Sequence, residues 1–125
     1  MGTVAYFAGS DPLILSKLVI NGINTLPISN GWDNHGKDIN HLTKEDNVSC
    51  VIGYIHKVFP VPNFQFSPQD ILLTCKAYSI PVLLATPNDY IDQAKKLLHG
   101  TGKNVKIVTP DDLYDEVAKL VYNPK

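Results

Sequence analysis

The densest run of chemically able side chains is Asn30-Gly31-Trp32-Asp33-Asn34-His35-Gly36-Lys37-Asp38, which holds the only tryptophan of the chain. Trp32 and His35 offer faces that stack on a flat ring, and the amides of Asn30 and Asn34 offer donors and acceptors to read its edge. The same run also reads as a polar turn before a short helix, with Trp32 covering a sheet edge. Asp33 and His35 lack the D-x-H-x-x-G spacing of a cobalamin site.

A second group is Tyr54, His56 and Lys57. A histidine at the end of a central strand serves as a general base, or it simply closes the strand with hydrogen bonds. Cys50 stands six residues before His56, about 20 Å away at about 3.3 Å per strand residue, so the two form no nucleophile–base pair. Cys50 and Cys75 are too few for a disulfide scaffold and read as buried, reduced thiols. His35, His41, His56 and His99 show no metal-ligand spacing, and no metal or cofactor is expected.

The positioning elements follow from apolar runs alternating with helix-start signals. Val4 to Ala8 reads as a strand ended by Gly9-Ser10, and Asp11-Pro12 caps the helix that follows. Asn21-Gly22 closes that helix. Thr25 to Ser29 is a second strand, and Pro27 inside it predicts a sheet edge. Val48 to His56 is the longest strand, apolar on both faces as a central strand must be. Ser67-Pro68-Gln69-Asp70, Thr86-Pro87-Asn88-Asp89 and Thr109-Pro110-Asp111-Asp112 each carry a hydroxyl N-cap, proline at N1 and a carboxylate at N3. They open helices through Tyr78, through His99 to Gly100, and over the last segment. Val82 to Ala85 and Val105 to Val108 are the strands before the latter two.

Strands alternating with helices imply one α/β domain over residues 1–125 with a parallel sheet and helices on both faces. About five strands in the order 2-1-3-4-5 give a flavodoxin-like, Rossmann-like arrangement. Ligands of such sheets bind beyond the carboxyl ends of the strands, where the strand order switches. That rule gathers Gly9, Ser10 and Asp11 after the first strand and Asn30, Trp32 and His35 after the second. It adds Tyr54, His56 and Lys57 at the third, and Thr86 and Asn88 after the fourth.

Electrostatics narrow the ligand. Asp11, Asp70, Asp89, Asp111 and Asp112 already occupy helix N-termini that would otherwise attract an anion. No GxGxxG and no Walker loop is present. Lys37 and Lys57 remain as contacts for a single phosphate, and an uncharged or weakly anionic ligand fits better than a polyphosphate.

The bulk composition excludes further classes. All eleven basic residues are lysine, with no arginine to fork onto phosphate or guanine, and the net charge is −1, so no nucleic-acid partner is expected. No apolar run reaches membrane-spanning length, and residues 3–7 carry no basic, cleavable leader. A cytoplasmic protein without a membrane partner is expected. Between the third strand and its helix, Val58-Phe59-Pro60-Val61-Pro62-Asn63-Phe64-Gln65-Phe66 is stiffened by proline and rich in phenylalanine. It reads either as a lid over the crevice or as a homo-oligomer surface.

Two resemblances add to this reading. Ser67-Pro68-Gln69-Asp70-Ile71-Leu72 through Ile80-Pro81-Val82-Leu83-Leu84, then Asp89-Tyr90-Ile91 and Ala94-Lys95, resembles the second half of the DRTGG domain. That α/β module occurs beside phosphotransacetylases and regulatory pyrophosphatases, and the resemblance implies adenine-nucleotide sensing. Tyr6-Phe7-Ala8-Gly9-Ser10 is similar to the opening of nucleoside 2-deoxyribosyltransferases. There a carboxylate early in the helix after the third strand attacks the sugar, which makes Asp70 the implied nucleophile.

Three functions are therefore carried forward. The first is a non-catalytic regulatory domain binding a small flat molecule such as a nucleoside or mononucleotide. The second is a nucleoside N-glycosyl transferase or hydrolase using Asp70, with His56 or Tyr54 assisting. The third is a structural subunit that binds partners through Phe59 to Phe66.

Overall fold

A computed structural model of the chain describes residues 2–30, 35–58, 68–98 and 101–122. Its strands are β1 (Thr3–Tyr6), β2 (Asn24–Ser29), β3 (Lys37–Asp38), β4 (Val48–Tyr54), β5 (Val82–Ala85) and β6 (Val105–Val108). All neighbours pair in parallel, in the order β3-β2-β1-β4-β5-β6. The helices are α1 (Pro12–Ile20), α2 (Pro68–Ile71), α3 (Leu73–Ala77), α4 (Ile91–Leu97) and α5 (Leu113–Tyr122).

The expected five strands become six. The added β3 pairs Lys37 with Ile28 and Asp38 with Ser29, outside the strand expected at the edge. Pro27 tolerates this because the pairing covers only Ile28 and Ser29, so proline's missing N–H falls outside the new ladder. The strand expected to run to His56 stops at Tyr54, and Ile55–Lys57 turns into a 3₁₀ helix.

Strand alternation sorts the side chains into two cores. Val4, Cys50, Ile52, Leu83 and Ala85 face α1 and α5, meeting Ile14, Leu18, Leu113 and Val117. Ala5, Phe7, Val51, Val82 and Leu84 face the other way, onto Ile71, Leu72 and Cys75 of the α2–α3 segment. A period of two on strands with buried faces on both sides accounts for this division. Gly53 lies within the second layer because Phe7 takes its side-chain space; a Cβ there would sit 2.6 Å from the Phe7 ring.

Helix ends obey local chemistry unevenly. The Asp11 carboxylate accepts from the Leu13 N–H at 2.9 Å, with Pro12 at the first turn of α1. The Thr109 hydroxyl accepts from Asp112 N at 3.3 Å before α5. Thr86 does not cap as expected: its hydroxyl accepts from no main-chain N–H, its own N–H donates to the Val108 carbonyl at 2.8 Å, prolonging the sheet, and a 3₁₀ turn over Asn88–Tyr90 precedes α4. The helix expected from Pro68 to Tyr78 is broken at Leu72, which separates α2 from α3.

α5 is amphipathic, burying Leu113, Val117 and Val121 at four-residue spacing while Asp115 and Glu116 stay outside the core. α1 is apolar on nearly every side and buries only Ile14 and Leu18. Its Lys17 ammonium lies 4.9 Å from the centre of the Tyr114 ring, a cation–π contact joining α1 to α5. Among the described residues, no helix is long and apolar enough to cross a membrane.

Candidate functional site

Because every strand runs the same way, the segments after β1, β2, β4 and β5 share one end of the sheet. The chain leaves β1 toward β2 on one side and returns to β4 on the other, so the order switches between β1 and β4. Gly9 and Ser10 follow β1, while Tyr54 ends β4 and His56 follows it. Gly9 has φ +80 and open space where a side chain would project. Ser10 is buried, its hydroxyl donating to the Phe7 carbonyl at 2.7 Å.

Two ring pairs flank this end. His35 meets Tyr6 edge to face, with centroids 5.3 Å apart, and Nδ1 lies 3.1 Å from the Ile28 carbonyl. A carbonyl accepts only, so that nitrogen carries the proton. Tyr54 and His56 stack at 6.1 Å and 19°. Tyr6 and Tyr54 both pack on the α1–α5 side of the sheet. Partial burial holds the imidazole of His56 below its ordinary pKa, and the neighbouring Lys57 charge adds to the effect.

Asn30, with only 3% of its surface exposed, is a strut: its Nδ2 donates to the Lys57 carbonyl at 2.9 Å. This bond ties the turn after β2 to the turn after β4, which lie on either side of β1. Lys37, expected as a contact for phosphate, is instead bound to both oxygens of Asp46 at 2.8 and 3.0 Å. That hydrogen bond, with the Thr43 N–H, holds the Asp46 carboxyl below its usual range. Asp11 is engaged as a cap, and Asn88 is exposed in its 3₁₀ turn. Thr86 is 1% exposed, and its hydroxyl has no hydrogen-bond partner.

Asp70 lies on the other face of the sheet. It belongs to α2, whose Ile71 packs in the core opposite the Tyr54 side, and its carbonyl accepts from Asn40 at 3.1 Å. Asn40 follows the edge strand β3, so Asp70 is tied to the sheet margin while the Tyr54–His56 stack lies on the other face. Trp32, and the Phe59 to Phe66 segment expected as lid or interface, lie outside the described residues, as does His99.

The thiols are chemically quiet. Cys50 and Cys75 are buried on opposite faces of the sheet, and burial pushes each up to about 12. Among the described residues, no three His, Cys, Asp or Glu side chains gather into a metal-binding group.

Two contributors escaped the sequence reading. Tyr6 partners His35, and Ser29 is buried at the last position of β2. Each falls inside a strand pattern, where a polar side chain at the carboxyl end was the available signal. The chain matches no protein-family model, and no curated protein matches it.

Proposed function

We propose that this chain is a small-ligand-binding α/β domain of flavodoxin-like type, acting without catalysis on a flat, uncharged or weakly anionic molecule of the nucleoside class. The observation that carries the reading is where its buried polarity lies. Of the five described buried polar side chains, Ser10, Ser29, Asn30 and Thr86 stand at or just past strand carboxyl ends. Only Thr101 stands elsewhere, bonded to the Leu98 carbonyl behind α4.

Burying polar groups costs stability unless they are bonded, so their concentration at one end favours a site there over a random scatter. The stacked Tyr54 and His56 supply a flat face for a ring. The capped start of α1 lowers the attraction for multiple phosphates. The separate placement of Asp70 and the Tyr54–His56 stack favours binding over glycosyl transfer.

Thermal unfolding with nucleosides, mononucleotides and sugars at millimolar concentration tests the proposal. A nucleoside well above its Kd raises the midpoint by several degrees, and His56→Ala, at an exposed position, reduces that rise. A flat response to every member of the panel would remove the reading.

A further inference from the structure

A cavity lies at the opposite end of the sheet, where the strands begin. It has a volume of about 590 Å³, between the turn that enters β4 and the turn that enters β5. That is within the range of about 300–1,000 Å³ typical of small-molecule sites. Its apolar floor includes Val48 and the buried Ile80. Around this floor stand Thr43, Lys44, Asn47, Tyr78 and Ser79.

Among the described residues lining the cavity, Lys44 is the one that carries charge. Of the two acids on the 3₁₀ turn that enters β4, Glu45 is exposed and does not line the cavity, and Asp46 is engaged by Lys37 and by the Thr43 N–H. Tyr78 leaves 45% of its surface exposed at the wall. A cation and a phenol ring over an apolar floor match a molecule with one anionic group attached to a flat ring.

The backbone supplies an independent observation. Asn47 and Ser79 are the only described non-glycine residues in the left-handed region, at φ 52 and φ 55, and both line this cavity. α1 and α3 end with the same hydrogen-bond pattern. Ile23 N bonds the Leu18 carbonyl and Gly22 N that of Val19; Ile80 N bonds the Cys75 carbonyl and Ser79 N that of Lys76. α1 uses glycine at the left-handed position, whereas α3 places a hydroxyl-bearing residue there. Asparagine takes this conformation readily, but serine does so at a cost, and strain of that kind gathers at ligand sites.

We propose that the cavity between Lys44 and Tyr78 is a binding site for a small ring-bearing molecule with one anionic group, separate from the crevice at the carboxyl ends of the strands. Lys44 meets the anionic group and Tyr78 the ring, while the side chains of Asn47 and Ser79 supply hydrogen bonds at the two walls.

Titration of the ¹⁵N-labelled full chain with benzoate, phenyl phosphate and inorganic phosphate provides the test. Saturable shifts of the Asn47, Val48, Ser79 and Ile80 amides are expected with both ring compounds in the low millimolar range. Lys44→Gln and Tyr78→Ala, both at exposed positions, weaken each ring compound by about tenfold. Absence of saturable shifts to about 10 mM, shifts confined to Gly9 and His56, or unchanged affinity in Lys44→Gln would each overturn the site. Inorganic phosphate binding as tightly as phenyl phosphate would overturn the ring requirement.

Discussion

Asn30 Nδ2 donates to the main-chain carbonyl of Lys57 at 2.9 Å, so a side chain leaving β2 fixes the turn leaving β4 across the tip of β1. The bond joins residues 27 positions apart in sequence. Asn30→Ala removes the donor of this part-buried bond. Unfolding in urea should show a loss of about 1–3 kcal/mol, with the Gly9 and His56 amide resonances shifted most.

Gly53 and Gly9 are small for different reasons. Gly53→Ala drives a methyl group into Phe7, which is fully buried, and should cost about 1–3 kcal/mol through overpacking. Gly9→Ala meets no atom within 4 Å, and its cost of about 1–2 kcal/mol comes from φ +80 alone. Combining Gly53→Ala with Phe7→Leu should recover part of the first loss and none of the second, as measured by denaturant midpoints.

Replacing Ser79 by glycine removes the left-handed strain at the end of α3 and leaves the Ile80–Cys75 bond in place. The expected gain is about 0.5–1 kcal/mol, the relief being offset in part by glycine's freedom in the unfolded chain. A Ser79→Gly protein no more stable than the parent would show that the observed turn carries no strain.

His56 gives a pH dependence with a definite sign. Its folded-state pKa lies below the ordinary value of about 6.5, chiefly through desolvation and then through Lys57. As pH falls, the unfolded chain takes up the proton first, so the stability contributed by neutral His56 is complete above that value. It is lost as pH falls through the folded-state midpoint. NMR should place the imidazole midpoint below the peptide value, and His56→Gln should flatten this part of the stability profile.

Both thiols should resist modification in the native protein. With pKa values pushed up to about 12 and little access to solvent, Cys50 and Cys75 supply almost no thiolate at about pH 8. Ellman's reagent should report no reactive thiol until denaturant is added, and then two.

Much of the architecture was written in local signals. Asp11-Pro12 marked the start of α1 because cap and proline act within one turn, and Asn21-Gly22 marked its end by the same local rule. The identical grammar at Thr86-Pro87 misled, since the Thr86 N–H is claimed by Val108, a partner 22 positions away that no local rule supplies. β3 was invisible for a related reason: a strand of two residues has no periodicity to detect. At the candidate site, His56 and Asn30 were legible as polar residues beyond strand ends. The Asn30–Lys57 bond and the Tyr6–His35 contact depend on strand order, which composition does not carry.

The brevity of β3 also bears on how this sheet avoids its own kind. An outermost strand ordinarily offers an intruding chain a row of open amides to template on, and two residues offer almost none. At the far margin, β6 is four residues long and bears Lys106, whose ammonium is held 2.9 Å from Glu116 of α5. One border is too short to extend and the other carries a charge, a combination that guards against fibrous stacking.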